Sequence, residues 1–193
     1  MRKIVVFNLV SLDGFFAGPR GNIDWHNTDE EFSKFAEEQT REFKTLIFGR
    51  VTYELMKSYW PTPQAIKDDP LVANVLNTAP KIVFSRTLKK VEETPVWKNV
   101  TIFKEIKPEE IKQLRAQPGG DMTILGSGTI AQQMTNLGLI DEYRLLVNPV
   151  ILGRGKPMFA NIKDRLKLKL LKTRIFKSGN VLLYYVPEHQ NPV

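Results

Sequence analysis

Met122-Thr123-Ile124-Leu125-Gly126-Ser127-Gly128-Thr129-Ile130-Ala131 is the stretch whose reading decides the fold of this chain. Four apolar or β-branched residues make a short buried strand, two glycines frame a turn, and the run beyond continues as a helix closed by Gly138. Glycine lets a pyrophosphate approach the backbone, and a helix start offers unpaired N–H groups and a favourable dipole. The run matches G-x-G-x-x-[G/A], which marks Gly126, Ser127, Gly128, Thr129 and Ile130 as candidate cofactor contacts. A match of this kind has little specificity alone, and here it comes late. A domain of repeated βαβ units places such a turn after its first strand. The position therefore predicts a nucleotide-binding α/β fold of another topology.

Working towards the N-terminus, an apolar run predicts a first strand over 4–10, followed by a Gly- and Asp-rich loop over 11–27. Thr28 reads as a helix N-cap with Glu31 closing a capping box, and Phe32, Phe35, Ala36 and Phe43 give that helix one apolar face. A buried strand over 45–48 ends at Gly49 and leads into a helix over 51–58. Pro61, Pro63 and Pro70 predict a loop-rich stretch with a helical piece over 71–77. Strands over 81–85 and 100–103 follow, then a helix over 108–117 with Pro108 in its first turn. Past Gly138, strands over 142–147, 166–176 and 181–186 are expected, the last two joined as a hairpin by Ser178-Gly179-Asn180. The alternation slips at Leu170-Leu171, which predicts a β-bulge. Strands alternating with helices and ending in a hairpin predict a three-layer α/β domain, a mixed, mainly parallel sheet with flanking helices. One domain is expected over 1–188, with a tail over 189–193.

Composition narrows the function. The chain has no cysteine, which excludes disulfides, thiolate nucleophiles and Cys–metal sites and fits a reducing, cytoplasmic setting. Its two histidines, His26 and His189, are far apart, which argues against a His-rich metal site or a Ser-His-Asp triad; no metal is expected. No apolar run is long enough for a membrane span, and the short one after Met1-Arg2-Lys3 reads as a strand, not a signal peptide. The net charge of +7 admits a phosphorylated ligand or a nucleic acid. The charge concentrates in Lys163 to Lys177, where Leu166, Leu168 and Leu170 alternate with Lys167 and Lys169. That pattern reads as a strand with one buried and one wet face, and no aromatic residues interleave to stack bases, so no nucleic-acid partner is expected.

Two further strand ends suit an anion. Phe48-Gly49-Arg50-Val51-Thr52-Tyr53 joins a buried strand to a helix start with an Arg and a hydroxyl beside free N–H groups. Phe84-Ser85-Arg86 places a hydroxyl and a guanidinium where a 2′-phosphate could be held. Each alone also reads as a turn with a surface Arg; three together favour a dinucleotide, because open α/β sheets bind ligands at the carboxyl ends of strands.

Ser11-Leu12-Asp13-Gly14, Gly49 to Tyr53, Gly126 to Gly128, Gly138-Leu139-Ile140-Asp141-Glu142 and the segment from Pro149 to Phe159 occur in an order that resembles one family. It is the dihydrofolate reductase-like domain forming the reductase half of the bifunctional bacterial riboflavin-biosynthesis enzyme, and the resemblance runs from Lys3 to Val186. It implies an eight-stranded mixed sheet, NADPH as hydride donor and a homodimer. It also implies that Gly49, Arg50 and Thr52 bind cofactor phosphates, Ser85 and Arg86 the adenosine end, and residues 126–130 the pyrophosphate. Ala17 would lie near the nicotinamide, with Asp13, Trp25 and Tyr53 near the substrate. The zinc-binding deaminase half has no counterpart here, which leaves riboflavin synthesis itself in question. Gly18 to Trp25 also resembles the active-site loop of true dihydrofolate reductases, and Glu31 follows Trp25 at the spacing of their substrate-binding carboxylate.

The expected function is an NADPH-dependent reductase, of the dihydrofolate reductase or 5-amino-6-(5-phosphoribosylamino)uracil reductase type, acting on a small heterocyclic or ribosylamino-type substrate. The alternative is a nucleotide-binding protein of the same fold without turnover. Asp13 and Glu31 are the candidate catalytic carboxylates, with Asp13 favoured because Glu31 sits where a helix dipole keeps it ionised.

Overall fold

The structure, a computed structural model, describes residues 1–188; the expected tail over 189–193 lies outside them. Its core is an eight-stranded sheet in the order β5-β4-β3-β6-β1-β7-β10-β9. The strands are β1 (Ile4–Ser11), β3 (Thr45–Gly49), β4 (Lys81–Phe84), β5 (Val100–Phe103), β6 (Met122–Leu125), β7 (Glu142–Asn148), β9 (Leu168–Ile175) and β10 (Val181–Pro187). From β5 to β7 every neighbour is parallel, and β10 pairs antiparallel with both β7 and β9. The central strands β3, β4 and β6 are covered on both faces, which is why they read as unbroken apolar runs.

Helices α1 (Glu30–Glu42), α2 (Arg50–Tyr59), α3 (Pro63–Asp68) and α4 (Pro70–Thr78) precede β4, and α5 (Pro108–Ala116) and α6 (Gly128–Asn136) flank β6 in sequence. Phe43, Tyr53, Val72 and Leu76 pack with Leu46, Phe48, Val83 and Leu125 on one face of the sheet. Ile111, Ile130, Ala131 and Met134 pack with Val6, Ile47, Ile82 and Ile124 on the other. Phe7 stands on the α1 side, 6.1 Å from the Phe35 ring and 6.2 Å from that of Phe43.

Several local expectations are corrected. The N-cap of α1 is Asp29, whose Oδ1 accepts from Phe32 N at 2.7 Å, one residue later than Thr28. No capping box forms, because Glu31 Oε2 instead accepts from Lys177 N at 2.9 Å. The strand expected over 166–176 is mostly exposed: β9 is an edge strand, and Leu170, Leu171 and Ile175 are exposed, while Leu168 and, just past the strand's end, Phe176 reach the core. Two elements escaped the sequence pattern: α3, and a two-stranded sheet of β2 (Phe15–Ala17) with β8 (Lys156–Pro157). Both strands are too short to show a period. The bulge is where the slip predicted it: Tyr184 pairs with Lys172 and Tyr185 with Leu170, which leaves Leu171 unpaired.

Candidate functional site

The parallel strands end on the same side of the sheet, and their ends open into one cavity of about 1080 Å³. Two strand-to-helix turns, β3–α2 and β6–α6, meet there and are tied to each other. Gly49 N donates to Ser127 Oγ at 3.0 Å, and Ser127 N donates to Thr52 Oγ1 at 3.1 Å. Each hydroxyl caps the other turn, so the two helix starts are held side by side. Asn8 on β1 fixes the second turn from below, its Nδ2 donating to Gly126 O at 3.0 Å.

This turn needs its glycines. Gly126 has φ +57°, and a Cβ there would stand 3.1 Å from Thr52 Cγ2. Ser127 shares the left-handed region at φ 51°, a cost a short polar residue carries at a functional turn. A Cβ at Gly128 would run into the Phe16 ring, which the β2–β8 sheet holds over the start of α6. The first N–H groups of α2 and α6 have no intrahelical acceptor by construction, and both helix starts line the cavity.

Cations surround these donors. Arg50 is held to Glu54 by contacts of 3.0 and 2.9 Å at the start of α2. Arg86, Lys104 and Lys156 line the cavity, and none has an ion-pair partner among the described residues. The Ser85 hydroxyl is buried and shapes its own turn, accepting from Thr87 N at 3.2 Å and Leu88 N at 3.0 Å. That turn aims the chain at Arg86. All the residues expected at a cofactor, Ala17, Gly49, Arg50, Thr52, Ser85, Arg86 and Gly126 to Ile130, line this single cavity. Two helix N-termini, glycine turns and unpaired cations form a donor set that fits a phosphorylated dinucleotide.

The residues expected near the substrate, Asp13, Trp25 and Tyr53, and the candidate catalytic carboxylate Glu31 make other contacts. Asp13 is exposed and serves the 149–154 loop: it accepts from the Ser11 hydroxyl at 2.6 Å, Gly153 N at 2.7 Å and Leu152 N at 3.1 Å. The Ser11 contact, with help from those N–H groups, holds its carboxyl below the ordinary value. An ionised clamp is the opposite of a proton donor. Glu31 points to the 177 backbone, as described. Trp25 donates to Asn22 O at 3.3 Å within its own loop. Tyr53 is buried beneath α2, where its hydroxyl accepts from Trp97 Nε1 at 3.0 Å. None of the four lines the cavity.

A second part of the cavity lies between α1 and the α2–α4 pair, over β1 and β6. Phe7, Phe32, Met56, Trp60, Val72 and Leu76 form its walls. Phe32 takes the place beside the cavity that the spacing had suggested for Glu31, because the cap at Asp29 turns Glu31 towards the 178–180 hairpin. His26 also lines the cavity, its ring edge-on to Trp25 at 4.5 Å and its Nε2 buried without a hydrogen-bond partner. Burial pulls its pKa down to about 4, so it is neutral at physiological pH. Sequence reading passed over His26 because a lone histidine carries no motif.

The RibD C-terminal domain family matches residues 2–182. An uncharacterized protein of Bacillus subtilis (strain 168), YyaP, is 33% identical over 186 residues, 95% of this chain and 94% of that one. A putative riboflavin biosynthesis protein from Shewanella sp. PV-4 has the same fold at TM-score 0.73 and 24% identity, covering 97% of this chain and 99% of that one. The dihydrofolate reductase of Enterococcus faecalis, in complex with NADP(H) and RAB-propyl, superposes at TM-score 0.63 and 17% identity, covering 96% of each chain.

Proposed function

Because this chain belongs to the RibD C-terminal domain family, whose fold is that of the dihydrofolate reductase-like reductases, we propose that it is an NADPH-dependent reductase of a small molecule. The observation that carries the reading is the pairing of two helix N-termini through Ser127 and Thr52 at the mouth of one cavity. A volume of about 1080 Å³ exceeds the roughly 300–1,000 Å³ of a pocket for one small ligand, and leaves room for cofactor and substrate together. When bound, the cofactor would supply the hydride.

The rest is the work of the protein's own residues. The N–H groups opening α2 and α6 bind phosphate oxygens, and Arg50 and Arg86 add charge-assisted contacts. Lys104 and Lys156 raise the local anion concentration at the rim. Phe16 and Ala17 close the β2 side against water. The Asn8 amide and the two reciprocal hydroxyl caps hold the turns in place, which lowers the ordering cost of binding at the backbone. Asp13 positions the 149–154 loop and takes no proton in the reaction. Ile151, 71% exposed on that loop, belongs to the surface on which a second copy would dock to form the expected homodimer.

Fluorescence titration tests the cofactor. NADPH is expected to bind more tightly than NADH, and Arg86→Ala to cut that preference by about tenfold, the contribution of one charge-assisted phosphate contact. A chain that binds neither dinucleotide is not a reductase of this kind, and an unchanged preference in Arg86→Ala removes the 2′-phosphate from this residue.

A further inference from the structure

Resting on the reductase reading, we propose that the substrate is an uncharged, flat, largely apolar ring compound, and not a phosphorylated, carboxylated or cationic one. The reason is the chemistry of the wall between α1 and α4. Phe7, Phe32, Leu55, Met56, Trp60 and Val72 face this part of the cavity. Neither α1 nor α4, nor α2 beyond Arg50 at its very start, puts an arginine or lysine on it.

A phosphate or carboxylate lodged there would leave water without meeting a counter-charge. Burying a charge without a partner is among the most costly events in a protein interior. The one carboxylate on this wall, Asp69, stands exposed at the start of α4 and would repel an anion further. A cation would meet a counter-charge only at the exposed Asp69 on the rim, because the α1 carboxylate Glu31 is engaged by Lys177 N and Phe32 occupies the wall. What remains polar is neutral and short: the edge of the His26 ring and the hydroxyls of Thr28 and Ser33. These are partners for one or two carbonyl or hydroxyl groups on a ring. Aromatic and thioether side chains on facing helices suit a planar ligand, since rings and sulfur stack at little conformational cost. The cations that the chain does spend on this cavity, Arg50, Arg86, Lys104 and Lys156, lie at the first residue of α2, at the strand ends and on β8.

Calorimetric titration of the intact protein with three naphthalenes of one size decides the matter: 2-naphthol, naphthalene-2-sulfonate and 2-naphthylmethylammonium. The neutral compound is expected to bind at least about tenfold more tightly than either ion, because each ion gives up hydration without a partner. Leu55 is 50% exposed on α2, so Leu55→Lys leaves the packing intact. It is expected to narrow the gap between naphthol and the sulfonate severalfold and leave the cation weaker still. Equal or tighter binding of the sulfonate or the ammonium overturns the proposal, as does an indifferent Leu55→Lys. A parallel NADPH titration reports on the reductase reading separately: if NADPH fails to bind, that reading falls, while the charge order of the naphthalenes still judges the lobe.

Discussion

Where β3, β4 and β6 end, the cavity wall is made largely of backbone: glycine turns, helix starts and hydroxyls that cap them. Between α1 and α4 it is made of side chains: rings, thioether and branched aliphatics contributed by three helices and one strand. The first wall offers backbone donors and charge, and a short contiguous segment can build it. The second offers a shape, and needs residues that lie far apart in the chain. Sequence reading named residues of the first wall and missed nearly all of the second. Asp13, Trp25 and Tyr53, expected near the substrate, and Glu31, the second candidate catalytic carboxylate, make contacts in loops, a hairpin and the core and do not line this cavity.

The contrast breaks most sharply at Gly126. Valine there would face a positive φ and the Thr52 methyl together, so the paired turns would be forced apart. NADPH affinity is expected to fall roughly 100-fold, or about 2.7 kcal/mol, with 2-naphthol binding little changed. An equal loss for both ligands would mean that the two walls are one cooperative unit.

His26 sharpens the comparison from the other side. Its folded pKa of about 4 lies below the ordinary 6.5, so the unfolded chain takes up this proton first as the pH falls. The stability it contributes is present above pH 6.5 and lost between 6.5 and 4. Allowing for partial solvent screening, the loss should be about 2 kcal/mol. Urea melts at both ends of that window, on the protein and on His26→Gln, measure it as a difference. Parallel pH profiles would show that His26 is solvated.

Tyr53→Phe tests whether a motif residue belongs to the cavity or to the core beneath it. Removing the hydroxyl leaves Trp97 Nε1 buried and unpaired, at a cost of about 1.5 kcal/mol. Thermal melting should register this while NADPH and naphthol titrations do not. A binding defect at full stability would return Tyr53 to the site.

Asp13→Asn should have the smallest effect on turnover. The Asp13 carboxylate supports the 149–154 loop above its ordinary pKa of 3.8, and that support fades as the pH falls through its depressed value. Hydrogen exchange at Leu152 and Gly153 is expected to quicken in the variant, while kcat stays within about twofold. A collapse of kcat with slow exchange retained would make Asp13 catalytic after all.

Much of the fold was legible because its signals are local. The β6–α6 turn announces itself through Gly126 and Gly128, the hairpin through Ser178-Gly179-Asn180, and the bulge through Leu170-Leu171. Other features were hidden by competition. Thr28 and Asp29 are both good caps, and what favours the second is the packing of Phe32 and Phe35 against the sheet, which sets the phase of α1. Leu166, Leu168 and Leu170 alternate like the residues of a half-buried strand, yet Leu166 and Leu170 stay exposed at the sheet edge. The β2–β8 pair joins residues some 140 apart, and no window sees it.

The sequence by itself determined the strand-end half of the cavity: where the strands end, which turns need glycine, and which arginines stand beside them. Those properties follow from neighbouring residues, because a left-handed turn and a helix start are set within a few peptide units. Only the tertiary structure decided which side chains meet in the other half. Turning α1 by one capping residue sends Glu31 to the hairpin and Phe32 to the cavity. Neighbours on a helix stand about 100° apart around its axis, so the packing that sets the phase of α1 also settles which residue the cavity receives.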